Sequence, residues 1–453
     1  MTPSTVLRPL FLSLALLLTA ACQGPASSSA PQKRLSIADI GAVGDGTTLN
    51  TVAIQKGIDQ LQAGGGGVLV IPAGKFRSGS IFLKPGVELY LDEGAVLFGS
   101  DNIEDYPKRE TRIEGHFEPW RMALVNVQQM DHVRISGKGH LDGNGVTYWN
   151  AFWQRRKENP RCTNLEVERP RLLFIDRCKD VRVEGISLQD SGFWNLHVYN
   201  CNGVVIEGLR VTVPSAVNGL RGPSTDGMDI DSSQNVTIRK CYISVNDDNI
   251  AFKGTKGPLA DKDQTSPAVE NILVEDTEFG DGNGMTCGSE ATLVRNITAR
   301  RNTISGNATL LTLKLRPDTP QRYENILIED IKLTGTGRIL NVAPWLQFFD
   351  LKGLPMPTRS IRNVTIRNVS GKFGTMGTLR GNAGDLITGI TLENIDLQLK
   401  SSQFALGPTE NLQLKNVRVN GEEFKLPAVL PPPALPGSGP AAAAGTAPAA
   451  RRQ

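Results

Sequence analysis

One short pattern, an asparagine followed by alternating apolar residues, recurs along the second half of the chain and limits the fold more than any other feature. It begins at Asn235, Asn271, Asn296, Asn325, Asn363 and Asn411. The steps are 36, 25, 29, 38 and 48 residues, and the last step fits two turns of 24. Each copy predicts a short strand with one apolar face, bounded by a turn residue. Strands of a β-sandwich recur about every 8 to 12 residues, so the longer period favours a parallel β-helix.

The N-terminal part of the chain, well before the first of these repeats, has the features of a capped solenoid end. Residues 50–62 (NTVAIQKGIDQLQ) carry apolar side chains at Val52, Ile54, Ile58 and Leu61. This spacing predicts a short amphipathic helix that covers the open end of the stack. The glycine-rich run that follows lacks the spacing of a phosphate-binding loop, which argues against a nucleotide site.

The two termini differ in composition from the 35–426 region, which we predict to be the β-helix domain. An apolar run follows Arg8 and ends at Cys22; it is too short to cross a bilayer and predicts a signal peptide over 1–22. The residues before Cys22 resemble a bacterial lipobox, so we expect lipid attachment there. Residues 23–34 read as a flexible tether, and the Pro/Ala-rich 427–453 segment as a disordered tail. We therefore expect an exported protein, either an outer-membrane lipoprotein or a periplasmic or extracellular one, with membrane contact only through Cys22.

Three aspartates in the 224–253 stretch are the strongest candidates for chemistry. Asp226 precedes Asp247 by 21 residues, and Asp248 follows directly. If that offset is one turn of the solenoid, the three carboxylates lie on neighbouring strands about 4.8 Å apart on one outer wall. Like charges this close raise the pKa of at least one group, which places an acid beside a base. Asp247 and Asp248 can both face a cleft only if the chain bends between them.

An adjacent aspartate pair is, by itself, more typical of a solvated turn than of a catalyst. Asp226 one turn away, followed by Asp229 and Asp231, reverses that preference. An acid beside a carboxylate is the pairing that glycoside hydrolysis requires.

These residues resemble the motifs of glycoside hydrolase family 28, the polygalacturonases and rhamnogalacturonan hydrolases. The matching segments are Ser224-Thr225-Asp226, Asp247-Asp248, Gly282-Asn283-Gly284 and Thr312-Leu313-Lys314. The resemblance implies a right-handed parallel β-helix and inverting hydrolysis of an α-linked, galacturonate-containing polysaccharide such as pectin. It also implies that Asp247 is the general acid, that Asp226 and Asp248 hold and activate water, and that Lys314 binds a uronic acid carboxylate.

The chain departs from the family motifs at two positions. Asn283 replaces the family histidine, and Thr312 replaces an arginine. We expect Arg316 to take over the work of that arginine, because it lies two residues after Lys314 and on the same strand face. Asn283, Lys314, Arg316 and Lys253 form the predicted substrate-binding set, since lysine and arginine recognise carboxylates well.

Other candidates leave open alternatives. Aromatic and basic residues in the 147–171 loop suit either sugar binding or packing onto the solenoid. His197 is more typical of a buried structural histidine than of a catalyst. Cys178 and Cys201 are 23 residues apart, so they can stack as free thiols or form a disulfide.

Composition narrows the partners. Net charge is only +3, from 49 basic and 46 acidic residues, which argues against nucleic-acid binding. We expect a monomer that acts on an acidic plant polysaccharide and uses no cofactor or metal. Two alternatives remain: a calcium-dependent pectic lyase whose Asp226, Asp229, Asp231 and Asp248 ligate the ion, and a carbohydrate-binding β-helix without catalysis.

Overall fold

The computed structural model describes residues 1, 32–214, 220–433 and 435. The predicted signal peptide with Cys22, most of the tether, and the tail beyond residue 435 lie outside the described residues. The compact unit considered below begins at Lys33.

Within these described ranges the chain forms two α-helices and 34 strands. The helices are α1 (Thr51–Ala63) and α2 (Val146–Glu158), and short 3-10 turns lie at Ala38–Ile40, Ile103–Asp105, Asn164–Glu166 and Ala260–Lys262. In chain order the strands are β1 (Arg34–Ser36), β2 (Asp45–Leu49), β3 (Gly67–Ile71), β4 (Gly74–Ser78), β5 (Ile81–Phe82), β6 (Val87–Leu91), β7 (Ala95–Gly99), β8 (Lys108–Ile113), β9 (His116–Arg121), β10 (Val125–Gln128), β11 (Asp131–Gly137), β12 (His140–Asp142), β13 (Leu173–Asp176), β14 (Lys179–Glu184), β15 (Ser187–Gln189), β16 (Leu196–Tyr199), β17 (Asn202–Glu207), β18 (Arg210–Thr212), β19 (Met228–Asp231), β20 (Gln234–Arg239), β21 (Tyr242–Ser244), β22 (Asp248–Lys253), β23 (Val269–Glu275), β24 (Glu278–Phe279), β25 (Asn283–Cys287), β26 (Leu293–Arg300), β27 (Thr303–Ile304), β28 (Thr309–Leu313), β29 (Gln321–Leu333), β30 (Arg338–Val342), β31 (Arg359–Leu379), β32 (Asp385–Leu406), β33 (Gln413–Val419) and β34 (Glu422–Glu423).

Parallel pairing arranges these strands in three faces around one interior. On the first face β14, β17, β20, β23 and β26 follow one another, and on the second β15, β18, β21, β24 and β27 do so. On the third face β10, β13, β16, β19, β22, β25, β28 and β30 stack in that order. Each strand pairs with its counterpart one coil later, which is the connectivity of a solenoid. The predicted right-handed parallel β-helix is therefore confirmed.

In the interior, inward-facing residues that occupy the same position on successive coils stack into columns. One column on the first face contains only β-branched residues: Val133, Val181, Val204, Val236, Ile272, Ile297, Ile326, Val364 and Ile390. All of them are buried. Each such side chain contributes about 1.5–3 kcal/mol when it leaves water, so the column stabilises every coil against the next.

The repeated asparagines lie just before this column and turn the chain into each strand. Asn235, Asn271, Asn296, Asn325 and Asn363 all have φ between 54° and 58°, in the left-handed region. Their amides form an exposed ladder in which each Nδ2 donates to the Oδ1 of the preceding asparagine, for example Asn271 to Asn235 at 3.1 Å and Asn325 to Asn296 at 3.2 Å. Asparagine suits this corner because it tolerates a positive φ and also fills the ladder.

Asn296→Ala is expected to lower the free energy of unfolding by about 1–3 kcal/mol, because it loses two ladder hydrogen bonds and because alanine tolerates φ 57° less well than asparagine. Asn296→Gly removes the same bonds without the backbone strain and should lose less. Thermal unfolding of the two variants measures the difference. Equal midpoints for alanine and glycine would contradict the role of the left-handed backbone.

Helix α1 covers one end of the stack, as the sequence predicts. Its buried residues are Ile54, Gly57, Ile58 and Leu61. A Cβ at Gly57 would lie 2.7 Å from Ile40 and 2.8 Å from Leu69, so glycine permits the close approach of helix and sheet. None of the helices in the described ranges is both long and apolar enough to cross a membrane.

Two further features of the termini and corners are visible. The segment 427–433 has no secondary structure, but Leu430 N donates to Leu406 O at 2.7 Å and Arg380 Nε to Pro431 O at 3.1 Å. The five cysteines within the described ranges are free. Cys178 and Cys201 stack on successive coils, where Cys178 N donates to the Sγ of Cys201 at 3.3 Å.

Candidate active site

The three aspartates of the sequence hypothesis meet on the third face, where successive coils come into register. Met228 on β19 pairs with Ile250 on β22, an offset of 22 residues. Gly227 N donates to Asp248 O at 2.8 Å, so Asp226 lies beside Asp248 on the neighbouring coil. On the next coil Asn283 is directly opposite Asp248.

A bend at Asn246 and Asp247, directly before β22, brings the third carboxylate to the same place. The bend is held on its two sides: Asn246 Nδ2 donates to Pro214 O at 2.9 Å, and Asn249 Nδ2 donates to Asp281 O at 3.0 Å. The predicted break in the strand is thus confirmed. It lets the carboxyl groups of two consecutive aspartates converge with that of Asp226.

One oxygen from each of Asp226, Asp247 and Asp248 lies within 4.8 Å of the others. Asp226 and Asp248 are 2% and 1% exposed, whereas Asp247 is partly open to solvent. Burial, together with the charges of Asp226 and Asp248, raises the pKa of Asp247 to about 7. The site therefore holds a carboxylic acid that keeps its proton near neutrality and can lose it.

Asp248 is stabilised as an anion by three donors. Lys314 Nζ donates to its Oδ2 at 2.7 Å, and Asn283 Nδ2 and Thr286 Oγ1 each donate to its Oδ1 at 2.9 Å. Burial opposes ionisation, but the Lys314 and Lys253 ammonium groups outweigh it and hold the pKa of Asp248 below its usual range. Two carboxylates in contact thus have pKa values shifted in opposite directions, which is the arrangement of an acid and a base.

Lys253 is placed against carboxylates of the protein. Its Nζ lies 3.1 Å from Asp226, 3.4 Å from Asp229 and 3.6 Å from Glu290, and 4.7 Å from the centre of the Trp194 ring. The residue is 6% exposed. Its buried ammonium group therefore compensates the negative charge of these carboxylates. Substrate contact through Lys253 stays a prediction.

Arg316 does not stand free beside Lys314. Its Nε and Nη2 donate to the two oxygens of Asp318 at 2.7 and 2.9 Å, and its guanidinium lies 5.2 Å from the centre of the Trp345 ring. Thr312, which replaces the family arginine, is 2% exposed and its hydroxyl has no hydrogen-bond partner among the described residues. Thr312 therefore supplies no charge there, and substrate contact through Arg316 stays a prediction.

A hairpin formed by β8 and β9 covers the third face on the N-terminal side of the aspartates. Arg112 on β8 forms a buried ion pair with Asp231, with Nε–Oδ2 at 2.9 Å and Nη2–Oδ1 at 3.2 Å. Phe117 on β9 packs edge-on against Tyr199, with ring centres 5.6 Å apart. The hairpin closes the groove at the coil that precedes Asp226.

Both ammonium groups bear on the calcium-binding alternative. Lys314 and Lys253 lie within about 3 Å of Asp248 and Asp226, at 2.7 and 3.1 Å. A divalent cation among the three aspartates would be repelled at this distance, in a buried place where charge is weakly screened. The donor set therefore fits a hydrolase better than a calcium-dependent lyase.

Comparison with known proteins agrees with this geometry. Residues 68–420 match the model of the glycosyl hydrolases family 28. The chain belongs to this family. It is therefore a glycoside hydrolase, and the resemblance drawn from its motifs is confirmed.

Individual relatives within family 28 cover the chain to different extents. A probable polygalacturonase of Vitis vinifera is 31% identical over 231 residues, which is 48% of this chain but only 44% of that protein. An endo-polygalacturonase of Pectobacterium carotovorum is 26% identical over 82% of this chain and 87% of its own length. The crystal structure of an exopolygalacturonase from Thermotoga maritima shares the fold, with a TM-score of 0.72 and 24% identity over 87% of this chain and 94% of that one.

Three aromatic residues of the 147–171 segment of this family 28 protein are structural. The sequence predicts a loop there, whereas the structure forms α2, whose Tyr148, Trp149 and Phe152 are all buried. Trp149 Nε1 donates to Ser191 O at 2.9 Å and Tyr148 OH to Ser100 O at 2.7 Å. Of the two interpretations left open, packing onto the solenoid is correct for these three residues.

His197 is likewise structural. It is fully buried, its Nδ1 lies 2.7 Å from Arg171 Nη1, and its Nε2 lies 3.3 Å from Asp231. Burial lowers the pKa of His197 to about 4, so it is neutral under the Arg112 hairpin. It holds Asp231 in place and does not reach the aspartate trio.

Sequence reasoning missed the residues that support the site from distant segments. Arg112 reaches Asp231 across 119 residues of chain, and no local pattern marks it. Arg169 is fully buried and donates to Gly192 O and Pro223 O, which fixes the chain just before Asp226. The sequence marks Arg169 only weakly, through two arginines that flank a proline in the Arg169-Pro170-Arg171 run.

Proposed function

We propose that the protein hydrolyses α-linked galacturonic acid from a pectic polysaccharide, with Asp247 as general acid and Asp226 and Asp248 as the groups that hold and deprotonate water. The observation that supports this assignment is the opposite direction of the pKa shifts of Asp247 and Asp248 within one trio of carboxyl groups. Asp247 is also the most accessible of the three, as a group that must reach the glycosidic oxygen should be.

Lys314 supplies the recognition of a uronic acid. Its side chain is 29% exposed although its Nζ donates to Asp248. An ammonium group has three hydrogens, so Lys314 can hold Asp248 and a substrate carboxylate together. Asn283, which also donates to Asp248, has a second N–H for a sugar hydroxyl.

We further propose that the enzyme removes single units from a chain end. On the coil that precedes Asp226 the outward positions His197 and Tyr199 are buried beneath the hairpin, as is Asp231 on the same coil as Asp226. On the C-terminal side Thr286 and Thr312 are buried as well. The groups left open, Asp247, Asn283 and Lys314, describe a pocket, and a pocket admits the end of a chain and not its middle.

The stereochemical course follows from the family and differs from the expectation from spacing alone. Two carboxyl groups about 6.5–9.5 Å apart are typical of inverting enzymes and about 5–5.5 Å of retaining ones. One carboxylate oxygen from each member of the trio lies within 4.8 Å of the others, a spacing closer to that of retaining enzymes. An inverting reaction is still possible here because Asp226 and Asp248 can hold one water molecule between them. We propose inversion, as the family resemblance implies; the alternative is that Asp226 or Asp248 attacks the sugar directly.

One experiment tests three points together: attack at the chain end or within the chain, inversion or retention at the anomeric carbon, and hydrolysis or elimination. Proton NMR during hydrolysis of tetragalacturonate should show galacturonic acid as the first product, formed as the β-anomer before mutarotation. Longer oligomers appearing first would contradict the pocket, and an initial α-anomer would establish retention. An unsaturated product that absorbs in the ultraviolet would show that the protein is a lyase. Binding of the oligomer without any product would show a non-catalytic protein.

We also propose that the chain is exported as a monomer and that lipid attaches at Cys22. The support is the short apolar run before Cys22. Metabolic labelling with palmitate should mark the parent but not Cys22→Ser, and light scattering should give the mass of one chain. An unlabelled but exported parent would contradict the anchor alone.

A further inference from the structure

Asp229, on β19 beside the catalytic trio, has an environment that suits a neutral carboxyl group. The side chain is 0% exposed, and neither of its oxygens accepts a hydrogen bond from a described residue. Lys253 Nζ is 3.4 Å from Oδ1 and also 3.1 Å from Oδ2 of Asp226, so the two carboxyl groups share one ammonium group. An ionised carboxylate offers about four acceptor positions, so the anion would be largely unsatisfied here.

The charges around Asp229 lead to the same conclusion. Four acids meet here, Asp226, Asp229, Asp247 and Asp248, and the ammonium groups that contact them are Lys253 and Lys314. Glu290 is balanced separately, because burial opposes its ionisation but the charges of Lys253, Lys256 and Arg316 hold its pKa below its usual range. One proton resides on Asp247 as the acid of the reaction, which leaves three carboxyl groups against two cations. A second proton is needed to bring this buried cluster closer to balance.

The neighbours on either side of Asp229 decide where that proton goes. His197 precedes it in register and is neutral, and Ala251 follows it. Asp248 receives three donors and Glu290 accepts from Ser289 at 2.8 Å, so both are satisfied as anions. Asp226 has Lys253 at 3.1 Å. Of the two carboxyl groups that share Lys253, Asp229 is the more distant, at 3.4 Å, and no described residue donates a hydrogen bond to either of its oxygens.

We propose that Asp229 is a positioning residue that holds a proton in the working enzyme and donates it in a hydrogen bond to Asp226. The inference rests on the proposed function, because it assigns Asp226 to the water. With the proton on Asp229, its carbonyl oxygen faces Lys253 and its hydroxyl faces Asp226. Asp226 is then the single anion of the pair, oriented by two donors, and remains free to accept a proton from water.

Asp229→Asn is the direct test, because an amide presents the same C=O and a donor where the acid has its hydroxyl. We expect kcat/KM within about threefold of the parent at pH 5.5, whereas Asp226→Asn should fall by about 10³-fold. Asp229→Leu has no donor, so it should lose at least tenfold more than Asp229→Asn and shift the acidic limb of its pH profile. A purely structural role would leave that limb in place.

A loss in Asp229→Asn as large as that in Asp226→Asn would overturn the proposal, because it would show that the charge of Asp229 is required. An unshifted acidic limb in Asp229→Leu would overturn it too. Folding is checked in each variant by the thermal unfolding midpoint.

Infrared spectroscopy gives a readout that does not depend on hydrolysis. In the Asp247→Asn variant, near neutral pH and without ligand, one protonated carboxyl C=O band should remain and should vanish when Asp229→Asn is added. Absence of that band in Asp247→Asn would overturn the inference even in an active enzyme. An inactive parent that shows the band would refute the proposed function and leave the protonation of Asp229 standing.

Discussion

Asp247→Asn is expected to lower kcat on tetragalacturonate by about 10³-fold, close to 4 kcal/mol of barrier, with little change in KM. The amide has the shape of the acid but cannot protonate the departing sugar oxygen. A substrate whose leaving group needs no proton, such as 4-nitrophenyl α-galacturonide, should be cleaved by Asp247→Asn at nearly the parent rate. Release of nitrophenol and of reducing ends, measured side by side, gives the two losses.

The same comparison distinguishes the acid from the bases. Asp226→Asn and Asp248→Asn should lose activity on both substrates equally, because water must be deprotonated whatever the leaving group is. Asp261→Asn, at an exposed carboxylate outside the trio, serves as the matched control and should behave as the parent. Equal losses for Asp247→Asn on both substrates would refute its assignment as the acid.

The pH profile supports the same assignment through its two limbs. Because the pKa of Asp247 is raised to about 7, activity should fall as the pH rises through that value and the acid loses its proton. Because Lys314 and Lys253 outweigh burial and lower the pKa of Asp248, that base stays ionised to acidic pH. Burial raises the pKa of Asp226, so protonation of Asp226 should set the acidic limb. The alkaline limb should be missing from Asp247→Asn, since no titrating acid remains.

Much of the fold follows from local sequence because each coil repeats the same physical problem. An asparagine that accepts a left-handed backbone precedes a β-branched inward residue, so Asn235-Val236 and Asn271-Ile272 mark their corners without any knowledge of the rest. Segments outside the repeat lack this redundancy. The β8–β9 hairpin and α2 interrupt the coils of the solenoid. The sequence predicts a loop where α2 forms, because the packing of side chains such as Trp149 against the solenoid, and not local sequence, determines that this segment is helical.

The site divides in the same way. The trio could be predicted because one solenoid turn separates Asp226 from Asp248, a distance along the chain that the period itself supplies. The cations were harder to place, since a long side chain can turn to any nearby anion. Asp318, two residues after Arg316, pairs with the guanidinium that we predict to bind substrate, and only three-dimensional contact shows which carboxylate the guanidinium reaches.

Lys314→Met is expected to lower kcat/KM on galacturonate oligomers by about 10²-fold. Two effects contribute: the substrate carboxylate loses a charged partner worth about 1.5–3 kcal/mol, and Asp248 loses its nearest cation, at 2.7 Å. Without that cation the pKa values of Asp226 and Asp248 both rise, so the acidic limb of the pH profile should move to higher pH. Michaelis parameters between pH 3 and pH 8 measure both effects.

The two effects can be separated with substrates that lack the charge. On the methyl-esterified oligomer the binding contribution disappears for parent and variant alike, so Lys314→Met should lose less there, while the shift of the acidic limb should stay. Lys372→Met, at an exposed lysine with no ion pair among the described residues, is the matched control for removal of one positive charge. If Lys314→Met lost equally on charged and esterified substrates, Lys314 would act on Asp248 alone, and recognition of the uronic acid would belong to another residue of the pocket.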